Sequence, residues 1–361
     1  MSSVENSKIE QVTLALSFLA YEESAEAIEA NLKSLEPVIG RYSIVWGPAF
    51  HYSLLKKTDG MTYIVQDLNH PNEYFVSIRG TTPLTISEWL FQDFWVGSLI
   101  SWKTVPYEKL LPPPPPSPDT PAVSFGINNA MNILLKQIND QEIDICSFLQ
   151  KQAEDSKQPI TIYITGHSLG GVLSPTFALY LCEHWPDNIC KPHISIYGYA
   201  GPTAGNQPFA NYSNQIIGNN CQVFENKLDV IPHAWNVNNM KEIPNLYQSL
   251  EMPAYLLRIL NKIAIPAVED KGYSQIGAKQ PEIPSKVVEF WFSNEYLIQM
   301  IYQHVIPYLA EFIRLSPLTD RDRLINLMES WEYVKTFKSL KPLSNAQGRD
   351  LGYYLELLGN A

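Results

Sequence analysis

The clearest structural signal in this chain of 361 residues is Thr161-Ile162-Tyr163-Ile164-Thr165-Gly166-His167-Ser168-Leu169-Gly170-Gly171. Its first five residues are β-branched or aromatic, which predicts a strand buried on both faces of a parallel sheet. Apolar side chains at helical spacing follow from Val172 to Leu181, so a sharp turn at Ser168 joins a strand to a helix. A serine between two glycines at such a turn is typical of a nucleophile elbow, where larger residues in place of the glycines would clash with the flanking elements.

Strands and helices alternate along the rest of the chain. Apolar and aromatic runs predict strands at Tyr42–Trp46, Phe50–Leu55, Met61–Gln66, Tyr74–Ile78, His193–Tyr199 and Gln222–Glu225. Helical spacing predicts an amphipathic helix before Tyr21 and a helix or a pair of helices between Ile127 and Ala153. This order predicts an α/β fold with a mainly parallel central sheet and helices on both faces.

The length is enough for one large globular α/β domain or two smaller ones. An apolar fraction of 45% supports a well-buried core. We expect one domain over residues 1–361, with a core at about 36–314, an insertion and possible cap at about 236–270, and a C-terminal helical extension at about 315–361. The net charge of −11 argues against nucleic acid or a strongly anionic membrane as the main partner.

The sequence shows no signal for export or for membrane insertion. Residues 1–10 lack a basic region followed by an apolar core, so we expect no Sec signal peptide and a cytoplasmic location, with non-Sec export left open. The apolar, charge-free stretch 159–182 contains the elbow and is interpreted as strand, turn and helix, so no transmembrane segment is predicted. Four cysteines without C-x-x-C spacing are expected to be buried free thiols.

A proline-rich run interrupts the chain after Leu110 and Leu111. Pro112 to Pro116, Ser117 and Pro118 restrict the backbone to polyproline II, which predicts an exposed, stiff loop. We interpret it as a surface connection within the domain. Binding of a partner domain that recognises proline-rich segments is the alternative.

Ser168 requires a base and an orienting carboxylate, because a serine hydroxyl is a weak nucleophile at neutral pH. Asp229 is the best carboxylate, since it follows a predicted strand at the edge where open α/β sheets gather functional groups. His304 is the preferred base, because it comes from a separate loop and can approach Ser168 from the side opposite Asp229. His233 is the alternative, although it would share one loop with Asp229.

Each of these residues also has a structural interpretation. Asp229 can be a solvated loop carboxylate, and His304 can be a buried or surface histidine without a catalytic task. His167 is expected to pack beside the turn, because the side chain directly before the serine points away from it. Arg79 is expected to form a structural ion pair between loops.

Five local matches resemble the class 3, or fungal-type, lipase family of the α/β-hydrolase superfamily. They are Tyr74–Thr81 with its Arg-Gly-Thr ending, the Gly166–Gly171 elbow, the loop Tyr197–Asn206, the loop Asn226–Pro232 around Asp229, and His304 with Tyr308. The resemblance implies the α/β-hydrolase fold and a serine hydrolase that cleaves carboxylic esters of lipids. Ser168, Asp229 and His304 would form the triad, with an oxyanion hole at the backbone N–H groups of Leu169 and Thr81.

The resemblance leaves several activities open. A phospholipase, an acyltransferase or an aryl-ester esterase would use the same triad, and a catalytically silent binding protein would keep the fold. No metal or organic cofactor is implied, and the oligomeric state is not indicated.

Two segments are candidates for a lid that meets a lipid interface. Thr85–Phe94 is strongly apolar and follows the oxyanion strand, with a core helix or loop as the alternative. Leu246–Ile265 is interpreted as a helical cap over the pocket, and deletion of Asn245–Ala264 is expected to change the preferred acyl length.

Overall fold

The computed structural model describes residues 3–52, 58–80, 95–248, 250–288, 295–316, 321–339 and 351–356. Eleven strands are assigned in these ranges: β1 Tyr42–Tyr52, β2 Thr58–Asp67, β3 Glu73–Ile78, β4 Leu99–Ser101, β5 Ala122–Ser124, β6 Thr161–His167, β7 His193–Tyr199, β8 Gly205–Asn206, β9 Cys221–Phe224, β10 Tyr273–Ser274 and β11 Ala278–Lys279.

Seven strands form the central sheet, in the order β1-β2-β3-β6-β7-β9-β11. The pairs from β3 to β11 are parallel, and β1 and β2 extend the sheet as an antiparallel edge. The apolar run 161–167 is buried after its first residue, because helices cover both faces of β6. The predicted α/β fold with a mainly parallel sheet is therefore confirmed. A smaller antiparallel sheet has the order β10-β8-β5-β4.

The helices, numbered in chain order, are α1 Ser3–Leu19, α2 Ala25–Ile39, α3 Phe125–Lys136, α4 Ile145–Asp155, α5 Leu169–Glu183, α6 Gln207–Ile217, α7 Val237–Glu242, α8 Ala254–Ile259, α9 Ile265–Val268, α10 Glu295–Leu315, α11 Arg321–Met328, α12 Glu332–Ser339 and α13 Leu351–Glu356. Short 3₁₀ turns lie at Trp102–Thr104, Gly218–Asn220 and Ile243–Asn245, and a π-helical turn spans Leu260–Ala264.

Two apolar clusters cover the two faces of the sheet. Side chains of α1, α2, α10 and the C-terminal helices pack on one face. Those of α3, α4, α5 and α6 pack on the other. A third cluster at the end of the sheet contains residues of α8, α9, α10 and the loop that follows Asp229. Among the described residues, no helix combines the length and apolar character needed to cross a bilayer.

Helix α1 differs from the amphipathic helix that the sequence predicts. Every residue from Gln11 to Tyr21 is buried, because the sheet covers one side of the helix and α10 and α12 cover the other. Its carbonyl groups also bind the sheet: Leu16 accepts hydrogen bonds from the hydroxyls of Tyr63 and Ser77. The N-terminal helix is therefore a layer of the core.

Two further expectations need correction. The strands expected at 42–46 and 50–55 are one strand as far as Tyr52, with register shifts around Gly47-Pro48; residues 53–57 lie outside the described chain. The four cysteines are free, but only Cys221 is buried and Cys190 is exposed, since it lies in a surface loop. The expectation of a helix or a pair of helices over 127–153 is confirmed as two helices, and Leu110 and Leu111 are exposed beside the proline run, as expected for a surface loop.

Candidate active site

Ser168 lies at the junction of β6 and α5, as the sequence predicts. Its backbone has φ 62° and ψ −126°, a left-handed conformation that costs a non-glycine residue on the order of 1–3 kcal/mol. The Ser168 N–H donates to the Tyr199 carbonyl at 2.9 Å, and the Ser168 carbonyl accepts from Gly171 N–H at 2.9 Å. These bonds to β7 and α5 hold the strained turn in place.

Glycines surround the turn because the backbone segments approach one another closely. A Cβ at Gly170 would fall inside van der Waals distance of the Ile78 carbonyl oxygen, and one at Gly171 would meet the Tyr199 carbonyl. Helix α5 therefore begins in direct contact with the ends of β3 and β7. Larger side chains would move Ser168 away from both strands.

Asp229 and His304 form a buried pair. The His304 Nδ1–H donates to Asp229 Oδ2 at 2.8 Å, and both side chains are fully buried. The second carboxylate oxygen, Oδ1, accepts the backbone N–H of Ile231 at 3.0 Å. His304 Nε2 is buried and has no hydrogen-bond partner in the described part of the chain. A neutral ring with its proton on Nδ1 presents a basic lone pair at Nε2.

His304 lies inside helix α10 and not on a loop, which corrects the sequence-based expectation. Pro307 disfavours a helix through this region, because proline has no N–H to donate a hydrogen bond to the carbonyl four residues earlier. That carbonyl belongs to Gln303, and it accepts the side-chain amide of Asn226 at 2.9 Å. A tertiary hydrogen bond therefore replaces the missing helical one and connects α10 to the loop of Asp229.

Tyr308 and Asn226 complete the surroundings of Asp229. The Tyr308 hydroxyl donates to Asp229 Oδ2 at 3.0 Å and accepts the backbone N–H of Asn226 at 3.1 Å. Burial, and then the charge of Asp229, raise the pKa of Tyr308 well above its ordinary value, so the hydroxyl stays a donor. The sequence motif groups Tyr308 with His304, but it does not predict the contact between Tyr308 and Asp229. The four-residue spacing from His304 on one helix was the available signal.

His167 contacts the main chain of His304. Its Nε2 bonds the His304 carbonyl at 3.0 Å, Nδ1 faces the Tyr21 hydroxyl at 3.2 Å, and its ring centroid lies 4.5 Å from that of His304. Burial is the main cause that lowers the pKa of His167 well below 6.5, so the ring is neutral near pH 7. The residue before Ser168 thus packs beside the turn, as expected, and holds α10 against the elbow.

The predicted oxyanion hole is described in part. Leu169 is the first residue of α5, where backbone N–H groups have no helical acceptor. Thr81 and the lid candidate Thr85–Phe94 lie outside the described residues. Arg79 is buried over the Tyr21 ring at 5.6 Å, and burial lowers its pKa. Within the described residues it forms no ion pair, so the expected structural pair is not seen there.

A cavity of about 370 Å³ borders Leu169. Its walls are mainly apolar and include Ile78, Trp95, Ile133, Leu134 and Leu173, with Thr62, Arg79, Asn129 and Gln137 as polar groups. No described residue of the cap candidate Leu246–Ile265 lines it. The cap candidate instead packs on the third apolar cluster through Leu256 and Leu260. The cavity gives an apolar chain space directly beside the elbow.

The remaining candidate groups lie apart from this arrangement. His233 Nε2 bonds the Lys227 carbonyl at 3.2 Å, whereas Asp229 bonds His304. Asp67, His70 and Glu73 offer three possible metal-ligand atoms within 4.8 Å of one another. They lie at the turn between β2 and β3, one strand length from the elbow, and His70 Nδ1 bonds Asp67 Oδ2 at 3.0 Å.

Comparisons with known proteins agree with this architecture. Residues 75–239 match the family model described as lipase (class 3). The crystal structure of M37 lipase is similar over 94% of this chain and 99% of that chain, with 27% sequence identity and a TM-score of 0.73. Lipase II from Rhizopus niveus is 18% identical over 65% of this chain and 76% of that chain, with a TM-score of 0.45.

Lip2 lipase from Yarrowia lipolytica is 16% identical over 65% of this chain and 74% of that chain, with a TM-score of 0.46. A search of the curated proteins gives no match. The family match covers most of β3, the elbow and the loop of Asp229. The match over residues 75–239 confirms the resemblance to class 3 lipases that the sequence motifs predict, and the overall fold is that of the α/β-hydrolase superfamily.

Proposed function

We propose that this protein is a serine hydrolase that cleaves carboxylic esters of lipids through an acyl-enzyme on Ser168. The family match and the fold support hydrolysis of lipid esters. The assignment of residues rests on one observation: buried His304 bonds Asp229 through Nδ1, leaves Nε2 unpaired, and packs against the residue that precedes Ser168. A histidine in this tautomer is prepared to accept a proton.

In the proposed reaction, His304 Nε2 accepts the proton of Ser168 Oγ while this oxygen attacks the ester carbonyl carbon. His304 then donates the proton to the departing alcohol, and the acyl group remains on Ser168. Water then attacks the acyl carbon while His304 Nε2 accepts its proton, and His304 returns this proton to Ser168 Oγ as the C–O bond to Ser168 breaks, which releases the carboxylic acid and restores the free enzyme. Asp229 orients the ring and stabilises the imidazolium that forms in each half of the cycle.

The backbone N–H of Leu169 and that of Thr81 would bind the oxyanion of each tetrahedral intermediate. Leu169 N–H is free for this role because it lies in the first turn of α5. Loss of one such donor typically lowers turnover by roughly 10²- to 10³-fold. The apolar cavity beside Leu169 would receive the acyl chain of the substrate.

A fluorophosphonate probe tests the nucleophile. We expect covalent labelling of the intact protein, no labelling of Ser168→Ala, and labelling of His304→Asn slowed by about 10³-fold or more. His233→Asn is the matched control, because His233 bonds the Lys227 carbonyl and should react normally. An unlabelled but folded protein would mean a silent binding protein, and normal labelling of His304→Asn would exclude the proposed base.

A panel of p-nitrophenyl esters of increasing acyl length, with and without an emulsion, tests the substrate class. We expect activity to rise with acyl length and at the interface, because an apolar cavity borders the elbow. Preference for short, dissolved esters would identify an esterase instead. Release of acid from phospholipid but not from triglyceride would identify a phospholipase.

A further inference from the structure

Tyr21 lies just after helix α1 and reaches the backbone of the nucleophile elbow. Its hydroxyl oxygen lies 3.3 Å from the His167 carbonyl oxygen and 3.2 Å from His167 Nδ1. The Nε2 of this ring bonds the His304 carbonyl, which can only accept, so Nε2 carries the proton and Nδ1 of the neutral ring is an acceptor. The Tyr21 hydroxyl is therefore the donor to both atoms of His167. Burial raises the pKa of Tyr21 well above its ordinary value, which keeps this proton in place.

The same hydroxyl touches the end of the strand that leads to the proposed oxyanion donor Thr81. A Cβ added to Gly80 would overlap the Tyr21 hydroxyl oxygen and the His167 carbonyl oxygen. It would also lie 3.0 Å from Ser168 Cβ. Only glycine leaves room for so close an approach. The hydroxyl thus lies at the junction of the two backbone segments that would build the oxyanion hole.

The Tyr21 ring has little freedom to move. Only 1% of the residue is exposed, and the guanidinium carbon of Arg79 lies 5.6 Å from the ring centroid. The ring centroid of Tyr333, in α12, lies 4.0 Å from that of Tyr21. A side chain packed this closely keeps its hydroxyl in one position. Contacts from the end of β3 and from α12 therefore determine where the hydroxyl meets the elbow.

We propose that Tyr21 is a positioning residue for the proposed hydrolysis, because its hydroxyl fixes the Ser168 turn relative to the strand end at Gly80. Tyr21 acts through the His167 carbonyl and Gly80, not on the substrate. Oxyanion donors stabilise a transition state only when their spacing is already correct before the reaction. Loss of the hydroxyl should therefore lower kcat and leave KM nearly unchanged. The inference rests on the proposed function and gives a task to a residue outside the segment 75–239.

Tyr21→Phe tests this role, since it removes the hydroxyl and keeps the ring. We expect kcat for a short dissolved ester, per site titrated with a fluorophosphonate, to fall by about five- to tenfold, a typical effect of losing one neutral hydrogen bond. KM should change by less than about twofold. An alkyl boronic acid forms an adduct with the serine that carries the charge of the oxyanion. Its affinity should fall by the same factor as kcat/KM.

Tyr63→Phe is the matched control. Tyr63 is also fully buried under α1, but its hydroxyl donates to the Leu16 carbonyl at 2.8 Å and not to the elbow. Its loss should lower the free energy of unfolding in urea by a similar amount and leave kcat per titrated site unchanged. The two variants therefore separate an effect on the geometry of the elbow from a general loss of stability.

Equal kcat values for Tyr21→Phe and Tyr63→Phe would overturn the proposal, and so would a change confined to KM. A Tyr21→Phe protein in which fewer sites are titrated, but each site turns over normally, would also overturn it, because the hydroxyl would then serve only folding. Failure of the proposed function has a different signature. In that case the intact protein itself would not be titrated by the fluorophosphonate, and the role of Tyr21 would be refuted with it.

Discussion

Tyr308 offers a test of the geometry around Asp229 at the scale of one atom. Tyr308→Phe removes the hydroxyl that donates to Asp229 Oδ2 and leaves the Asn226 N–H without its acceptor. A hydrogen bond to a charged group contributes about 1.5–3 kcal/mol, so kcat/KM for a soluble ester should fall by about tenfold or more. Tyr302→Phe is the control, because the Tyr302 hydroxyl donates to the Tyr354 carbonyl and not to Asp229. Equal kcat/KM values for the two variants would contradict a role for Tyr308 in orienting the carboxylate.

His167 should make stability depend on pH in one direction. Burial lowers its folded-state pKa below 6.5, so the unfolded chain takes up a proton near pH 6.5 and the folded protein does so only at lower pH. Its contribution to the free energy of unfolding is therefore complete above about pH 7 and is lost as the pH falls. The slope from one such group is at most about 1.4 kcal/mol per pH unit. Tyr21, Tyr308, Tyr333 and His304 surround the ring, and no carboxylate contacts it in the described chain.

Urea unfolding at several pH values between about 5 and 7.5 measures this dependence. His167→Gln should be less stable at neutral pH, because the bond to the His304 carbonyl changes, and its stability should decline less on acidification. His193→Gln, at an exposed position, is the matched control. Parallel pH curves for intact protein and His167→Gln would show that the ring does not titrate as burial predicts.

At the scale of elements, the contact between α5 and the ends of β3 and β7 depends on the elbow glycines. Gly170→Ala would place the added Cβ against the Ile78 carbonyl oxygen. This oxygen belongs to the backbone of β3, so it cannot move aside without displacing the strand. We expect a loss of about 3 kcal/mol or more in the free energy of unfolding, with activity lost in step. Gly60→Ala is the control, since the nearest atom to its Cβ would be Ile133 Cγ2 at 3.4 Å, an ordinary van der Waals contact. A Gly170→Ala protein as stable as Gly60→Ala would contradict the close packing described for the elbow.

The elements that sequence reasoning identified are those whose signals are local. The run 161–167 and the glycines around Ser168 predict strand, turn and helix. Both the period of the hydrophobic pattern and the small size of the glycines can be recognised within a few neighbouring positions. Helix α10 was missed at His304, since Pro307 locally signals a break and only Asn226, 77 residues away, supplies the replacement donor. The pairing of Asp229 with His304 was found through chain order and motif resemblance, not through any local rule.

At the scale of the whole molecule, α1 belongs to the fold although it lies outside the matched segment 75–239. The sequence alone predicts that one side of α1 is polar. The C-terminal helices that cover this side are more than 300 residues away, so the local hydrophobic pattern of α1 does not reveal them. Glu22 shows the connection: its carboxylate accepts the backbone N–H of Glu332 at 2.9 Å. The two ends of the chain therefore form one layer across the sheet, over the face that includes His167.

Leu16→Ala tests whether this layer unfolds together with the sheet. The Leu16 side chain is fully buried, so its truncation leaves a cavity between α1 and the sheet. The Leu16 carbonyl accepts hydrogen bonds from the Tyr63 and Ser77 hydroxyls, which places this residue directly against the sheet. Such substitutions cost about 2–5 kcal/mol, and the loss should appear in one cooperative urea transition if α1 and the sheet form a single core. Leu110→Ala, at a position 91% exposed, should change stability by less than about 0.5 kcal/mol. A separate early transition in Leu16→Ala, with tryptophan fluorescence of the sheet unchanged, would mean that α1 docks on a core that is already complete without it.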